Sequence, residues 1–393
     1  MSDKKPDLIS PGMRFEVSIE RVIPRGLGFA HFSGKTVLVP LAAAGDHLLV
    51  EASNVKGDVI IAEIRKIISA GSDRIEPECQ YYGSCGGCDF QHLSYAAQLA
   101  VKAEMIRDCI RRIARIDFTS DIEVIPSPLE FGYRSRAQLH ADKISGKIGF
   151  YKRNSRDVVE INTCPILTPE LNARMAELRQ LQSPISTKEI DLASGDNGVI
   201  SVSGTGAKPQ ITEAEVAGFR FRYSAEVFFQ VNRILASDLV RTATRDAGGK
   251  LALDLYSGVG LFSLPLSLTF ENVLAVEEHP AACRYAIENA ELNERQNVRV
   301  VNDRVRSFLK RQSKLRPDFI LLDPPRAGTE RETVMNIISL RAPVISFVAC
   351  EPSVLARDIR RFVEAGYKIE SIVALDMFPQ THHVETVARL SLA

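Results

Sequence analysis

The chain predicts an α/β protein whose C-terminal part is a Rossmann-like parallel sheet, with an OB-like β-barrel at the N-terminus and a β-rich region between them. Three observations carry this. From Leu251 onward, near-continuous apolar runs alternate with helical patterns, the mark of a parallel sheet covered on both faces. Before Ile68, short alternating runs are broken by Pro24-Arg25-Gly26, Ser33-Gly34 and Lys56-Gly57. From residue 121 to about 215, strand-like runs surround one helical stretch. At 393 residues the chain holds two or three domains; the expected boundaries are 1–70, 71–215 and 216–393.

In chain order, residues 15–23, 27–32, 36–39, 48–52 and 59–67 read as five strands. Five short strands in so few residues fit a small barrel of the oligonucleotide-binding kind, and an SH3-like barrel fits the same pattern. Residues 94–116 have helical spacing, with Ser94 as cap and Leu99, Met105, Ile106, Cys109, Ile110 and Ile113 on one face. This helix is expected to pack on the C-terminal domain. Strands follow at 136–141, 147–151, 158–161 and 199–202, with a helix at 167–181. In the last part, strands at 251–255, 273–276, 298–301, 319–322 and 344–348 read as parallel. The runs 367–376 and 386–392 are separated by a short connection and should pair antiparallel at one edge.

Hydrophobic residues at 45% and charged residues at 25% are ordinary for a soluble globular protein. No apolar run approaches the roughly 20 residues that span a bilayer, and the first six residues lack the apolar stretch of a secretory signal. No membrane association and a cytoplasmic location are therefore expected. Lys plus Arg (49) balance Asp plus Glu (49), so any polyanion site has to be local. One patch qualifies: Arg134, Arg136, Lys143, Lys147, Lys152, Arg153 and Arg156 face a single acid, Asp142, with Tyr133, Phe150 and Tyr151 interleaved. Cations beside stackable rings suit single-stranded RNA; a solvated sheet face gives the same pattern.

Seven cysteines, an odd number, argue against a disulfide framework. Cys79-x5-Cys85-x2-Cys88 and the distant Cys164-Pro165 supply four thiolates, which either zinc or a 4Fe-4S cluster accepts. Structural zinc usually draws two close pairs. Three clustered cysteines joined by one far downstream favour the iron–sulfur cluster, in a structural role that ties residues 79–88 to the central region.

The loop Asp254-Leu255-Tyr256-Ser257-Gly258-Val259-Gly260 follows the first parallel strand, where glycines let a ligand approach the backbone at the crevice of an open sheet. It has no third glycine at the spacing of the dinucleotide fingerprint, and it opens with an acid, which suits a cationic sulfonium. Glu277 ends the second strand, where a carboxylate can accept from ribose hydroxyls. Asn302 and Asp303 end the third, near the place of an adenine edge, and Asp323 ends the fourth. In Asp323-Pro324-Pro325-Arg326 an arginine stands where amino-directed base methyltransferases often carry a stacking aromatic ring.

Cys350 follows the fifth strand. Carbon 5 of uracil is a poor nucleophile; addition of a thiolate at carbon 6 makes it an enolate carbon that can attack a sulfonium methyl. A base then removes the carbon 5 proton. Glu385 is the best candidate for that base, with His382-His383 as the alternative.

With these motifs the sequence closely resembles the RNA 5-methyluridine methyltransferase family over essentially its whole length. The resemblance implies a class I, S-adenosylmethionine-dependent methyltransferase domain, an N-terminal TRAM barrel and a 4Fe-4S cluster on Cys79, Cys85, Cys88 and Cys164. It implies cofactor contacts from Gln230 (in Phe228-Phe229-Gln230-Val231-Asn232), Tyr256, Glu277 and Asp323. Cys350 matches the nucleophile and Glu385, in Phe378-Pro379-Gln380-Thr381-His382-His383-Val384-Glu385, matches the base. The implied partner is structured RNA, 23S rRNA or tRNA, with the ribosomal substrate preferred, and no obligate protein partner. The chain departs from the family where Ala349 and Glu351 replace the serine and asparagine that usually flank the cysteine; a carboxylate beside a thiol raises its pKa. Ser257 also replaces a frequent cysteine and Leu261 a residue that is polar in some members. Two other functions compete on residues alone: an RNA-binding iron–sulfur redox sensor without catalysis, and an amino-directed nucleic-acid methyltransferase. Neither needs Cys350 together with Glu385.

Overall fold

The computed structural model describes residues 9–142, 145–180 and 188–392. The strand expected over residues 15–23 is two, β1 (Arg14–Ser18) and β2 (Arg21–Ile23). The break has a purpose. The amide of Ile19 donates to the carbonyl of Asp46 at 2.8 Å, and that of the next residue, Glu20, donates to Phe29 at 2.9 Å. Consecutive residues thus pass the strand from one neighbour to another. With β3 (Leu27–Phe32), β4 (Lys35–Pro40), β5 (His47–Lys56) and β6 (Val59–Ser69), the order is β1-β5-β6-β4-β3-β2, and only β4 and β6 pair parallel. That handover closes the sheet into the expected OB-like barrel around Val17, Ile19, Val37, Leu48 and Ile60.

The helix expected over 94–116 is α1 (Tyr95–Cys109), with Ser94 Oγ accepting from the Ala97 amide, followed by a π-helical turn at Ile110–Ala114 that ends on left-handed Arg115. Both pieces pack against a helix of the C-terminal region. Lys102 of α1, fully buried, pairs with the equally buried Asp376 at 2.5 Å. After β7 (Glu123–Ile125), β8 (Arg136–Ala141), β9 (Ile148–Tyr151) and β10 (Val158–Glu160) come α2 (Pro169–Arg179), β11 (Glu189–Ser194) and β12 (Ile200–Ser203). Strands β8 to β12 form one antiparallel sheet, ordered β10-β9-β8-β11-β12. Lys143 and the end of the expected 167–181 helix lie outside the described residues. The sequence reading lacked β11 and the hairpin of β13 (Thr212–Val216) and β14 (Phe219–Tyr223). The hairpin turns on Ala217-Gly218, both with positive φ (51° and 80°), as a tight two-residue turn requires.

The C-terminal region runs α3 (Arg233–Thr244), β15 (Gly249–Leu255), α4 (Ser263–Leu266), β16 (Phe270–Glu277), α5 (Pro280–Leu292), β17 (Val298–Asn302) and α6 (Val305–Arg311). It continues with β18 (Phe319–Leu322), α7 (Arg331–Leu340), β19 (Val344–Ala349), α8 (Pro352–Glu364), β20 (Tyr367–Leu375) and β21 (Glu385–Leu392). The sheet order is β17-β16-β15-β18-β19-β21-β20-β7. Strand β21 is antiparallel to β19 and β20, as expected, but the pair is not an edge, because β7 adds in parallel beside β20. Two apolar clusters cover the two faces. The chain winds outward from β15 to one side and returns at β18 to the other, so the crevice opens at their carboxyl ends.

Candidate active site and cysteine cavity

A cleft of about 600 Å3 lies at that switch point, and its walls include Gln230, Tyr256, Glu277, Asp323, Cys350 and Glu385. The fold therefore brings together in one cleft six residues that lie up to 155 positions apart in the chain, from Gln230 to Glu385. The loop after β15 makes three left-handed turns, at Tyr256 (φ 64°), Gly258 (54°) and Gly260 (90°). For Tyr256 this is strain, held by the amides of Tyr256 and Ser257 on the Val276 carbonyl (2.9 and 3.1 Å). The Glu277 carboxylate is aimed by two amides, Gly258 on Oε2 at 3.0 Å and His279 on Oε1 at 2.7 Å.

Gln230 Oε1, at the cleft wall, and Ser257 Oγ, in a small adjoining pocket that shares Gln230, Tyr256, Gly258 and Asp323 with the cleft, have no protein partner. Nor has Oδ1 of Asp254, which is buried at the start of the same loop and lines neither space. The other oxygen of Asp254 accepts from the Ser263 hydroxyl. Burial, with the Glu277 charge adding to it, pushes Asp254 up to about 7 against the pull of Ser263. A ligand bearing an ammonium, hydroxyls and a sulfonium would satisfy what this pocket leaves open. Asn302 and Asp303, expected beside an adenine, do not line the cleft. The Asn302 amide bonds the carbonyls of Glu277 and Glu278, and Asp303 pairs with Arg311.

Cys350 sits between β19 and the first turn of α8. Burial, and then the charges of Glu385 and Asp323, push its thiol up to about 12; Arg326 acts the other way by charge and hydrogen bond. Burial and Asp323 likewise hold the Glu385 carboxyl well above the usual range, again opposed by Arg326. Glu385 Oε1 has no partner among protein groups. The carboxylates that press on the thiol are thus Glu385 and Asp323, whereas Glu351, the neighbour expected to do so, turns its Oε1 to the Ser353 hydroxyl at 2.9 Å. Glu351, His382 and His383 bring one polar atom each within 4.8 Å of one another. As an alternative base the histidine pair fits poorly. His382 is tied to Asp89 by its amide (2.7 Å) and its Nδ1, while His383 lines a different cavity.

Among the cleft residues that the sequence did not single out for the site, Arg326 and Phe228 stand out. Arg326 was read only as the absence of an aromatic ring, yet it acts on both the Glu385 carboxyl and the Cys350 thiol. Phe228, beside Gln230, is 62% exposed at the cleft wall, with the Arg136 guanidinium 5.9 Å from its ring centre. An exposed ring next to a cofactor motif was the available signal. The basic strip is partly turned inward. Arg136 donates to the carbonyls of Ala225 and Val227, Arg153 to Cys88 at 2.5 Å, and Tyr133 is buried with its hydroxyl on Pro379 at 2.9 Å. Lys147, Lys152 and Arg156 remain exposed.

Cys79, Cys85, Cys88 and Cys164 line a second cavity of about 460 Å3, which shares Arg134, Gln138 and Arg326 with the cleft. Burial raises the Cys85, Cys88 and Cys164 thiols, the last two to about 12 and about 11; the Gly87 amide donates to Cys85 Sγ at 3.3 Å, and the Ile166 and Leu167 amides act on Cys164 against the effect of burial. Asn172 of α2 brackets Cys164, accepting from its amide at 2.8 Å and donating to its carbonyl at 3.0 Å. Four cysteines around a space larger than one ion, with a backbone amide on the Cys85 sulfur, fit an iron–sulfur cluster.

The family model "tRNA (Uracil-5-)-methyltransferase" matches residues 210–392. An RNA methyltransferase of Thermotoga maritima is 31% identical, the match covering 95% of this chain and 98% of that protein. The 23S rRNA (uracil(1939)-C(5))-methyltransferase RlmD of Shewanella sediminis is 32% identical over 93% of each. Among solved structures, the tRNA (uracil-54, C5)-methyltransferase of Pyrococcus abyssi in complex with S-adenosyl-L-homocysteine superposes with a TM-score of 0.72 at 26% identity, covering 95% of this chain and all of that one. The class I methyltransferase fold is therefore that of the C-terminal region.

Proposed function

Because this chain belongs to the RNA (uracil-5-)-methyltransferase family, it transfers a methyl group from S-adenosyl-L-methionine to carbon 5 of uracil in RNA, and we propose that it does so through a covalent adduct on Cys350. One observation carries the proposal: Cys350, Glu385, Asp323 and Arg326 share a single cleft with the residues suited to the methyl donor. In this reading the Cys350 thiolate forms a bond to carbon 6, and the ring electrons move to carbon 5 and its neighbouring carbonyl. Carbon 5 takes the sulfonium methyl, and S-adenosylhomocysteine is released. Glu385 then removes the carbon 5 proton, the carbon–sulfur bond breaks, and the thiolate is returned. Arg326 offsets the negative charge that gathers on these groups. Gln230, Tyr256, Glu277 and Asp323 hold the donor: Gln230 by its unpartnered oxygen toward the ammonium, Glu277 by the ribose hydroxyls.

Cys79, Cys85, Cys88 and Cys164 hold a 4Fe-4S cluster in this reading. When bound, the cluster supplies a rigid cross-link between the loop and the central sheet, and no electron transfer is required of it. The N-terminal barrel serves as a TRAM domain for RNA, the target is a uridine flipped out of structured RNA, and the relatives that act on 23S rRNA favour a ribosomal site. A cytoplasmic location follows from that substrate. Among the described residues no helix is long and apolar enough to cross a membrane.

The decisive experiment uses RNA containing 5-fluorouridine, whose fluorine cannot leave as a proton does. With the methyl donor present, a denaturation-stable protein–RNA adduct should form, and Cys350→Ala should abolish it. No adduct on either ribosomal or transfer RNA would rule out the covalent route.

A further inference from the structure

We propose that Asp89, directly after the cluster cysteine Cys88, is a positioning residue that sets where Glu385 meets the substrate. The inference rests on the reading of Glu385 as the base. Residues 376–384 connect the last two strands and deliver Glu385, the first residue of β21, to the cleft. That segment is held from outside at Asp376, Phe378, Pro379, Gln380 and His382. The amides of Asp89 and Phe90 both donate to the Gln380 carbonyl, at 3.1 and 3.0 Å. Gln98 of α1 closes a two-bond ring with Gln380, donating to its side-chain oxygen and accepting from its amide, each at 2.9 Å. Lys102 reaches the Phe378 carbonyl at 3.1 Å and Tyr133 the Pro379 carbonyl at 2.9 Å.

Asp89 makes the last of these anchors before Glu385. Its Oδ1 accepts from the His382 amide at 2.7 Å and its Oδ2 pairs with His382 Nδ1. The segment would not keep this shape by itself, since Gln380 is left-handed at φ 68°. The barrel closes over the same point: a Cβ on Gly26 would lie 2.9 Å from the Phe90 ring and 3.2 Å from His382 Cβ. Nothing in the chemistry of the thiol or the methyl donor needs Asp89. It acts on the placement of a carboxyl three residues further on.

A base moved by about 1 Å loses roughly a hundredfold in rate, and here the loss falls on one step. Glu385 is needed only after methyl transfer, so a misplaced Glu385 leaves methylated RNA attached to Cys350. Asp89→Asn keeps an oxygen for the His382 amide but alters the ring contact. With cluster-loaded protein, normal uridine RNA and labelled methyl donor, product release should slow about 10- to 100-fold. The methylated, denaturation-stable adduct should accumulate, while affinities for RNA and donor and the iron content stay unchanged. Glu385→Gln is the reference and should trap the same species. His382→Ala cuts the ring contact from the other side, so combining it with Asp89→Asn should cost less than the product of the two single effects.

If Glu385→Gln traps the adduct while Asp89→Asn releases product at the normal rate, Asp89 has no positioning role and the base assignment stands. If Glu385→Gln traps nothing, the base assignment itself fails. Should Asp89→Asn lose iron, His382→Ala with full iron decides, and normal release there overturns the proposal.

Discussion

Cys350 is held at about 12 by burial first and then by Glu385 and Asp323, with Arg326 already pulling the other way, so at neutral pH little of it is thiolate until the bound sulfonium offsets those charges further. A thiol raised above its usual 8.5 or so gains thiolate about tenfold per pH unit over a wider range. Adduct formation measured in single turnover should therefore climb between pH 6 and 9 with no plateau near 8.5. Arg326→Gln should lower it about 10- to 100-fold at each pH, with donor affinity little changed; a plateau near 8.5, or an unaffected variant, would show that Arg326 does not govern the thiol. That Cys350 and Glu385, proposed as nucleophile and base, share one cleft was legible in the sequence because strand ends and motif residues mark them. Arg326 was not, because a cation that tunes an acid and a thiol shows itself only where the chain brings all three together. Glu351 shows the converse. Adjacent to the thiol in sequence, it is directed elsewhere by the first turn of α8.

Among the elements, α1 does most to join the parts of the molecule, and its strongest tie is invisible to any helical pattern. Lys102 and Asp376 are both fully buried and 2.5 Å apart, with Lys102 also on the Phe378 carbonyl. Removing one member of a buried pair leaves an uncompensated charge, so Lys102→Met should cost about 3–5 kcal/mol in urea denaturation. Adding Asp376→Leu should recover part of that; a double variant no more stable than the single would place the loss in packing instead. Parallel strands were read well, since β18 and β19 are buried on both faces and β15 to β17 still carry apolar runs. Strands β11, β13 and β14 were not, although the Phe-Arg-Phe-Arg of β14 alternates as a half-buried strand does. The first barrel strand was seen whole, and its division between two neighbours depends on pairing that a single strand does not encode.

At the scale of the whole molecule, zero net charge means that RNA is not drawn by a general field. Attraction has to come from the cations that the fold leaves in water, and these are fewer than the basic strip suggested. Arg136 and Arg153 are committed to backbone carbonyls, whereas Lys152 and Arg156 stand exposed near the cysteine cavity, which shares three residues with the catalytic cleft. An RNA strand crossing from the cysteine cavity to the cleft would pass these two side chains. Lys152→Gln with Arg156→Gln should therefore weaken RNA binding and reduce the slope of log affinity against log salt by about 1.5, two phosphate contacts' worth. Methyl-donor affinity and iron content should not move. An unchanged salt slope would mean that RNA does not approach across the cysteine cavity, and the barrel would then have to supply the path.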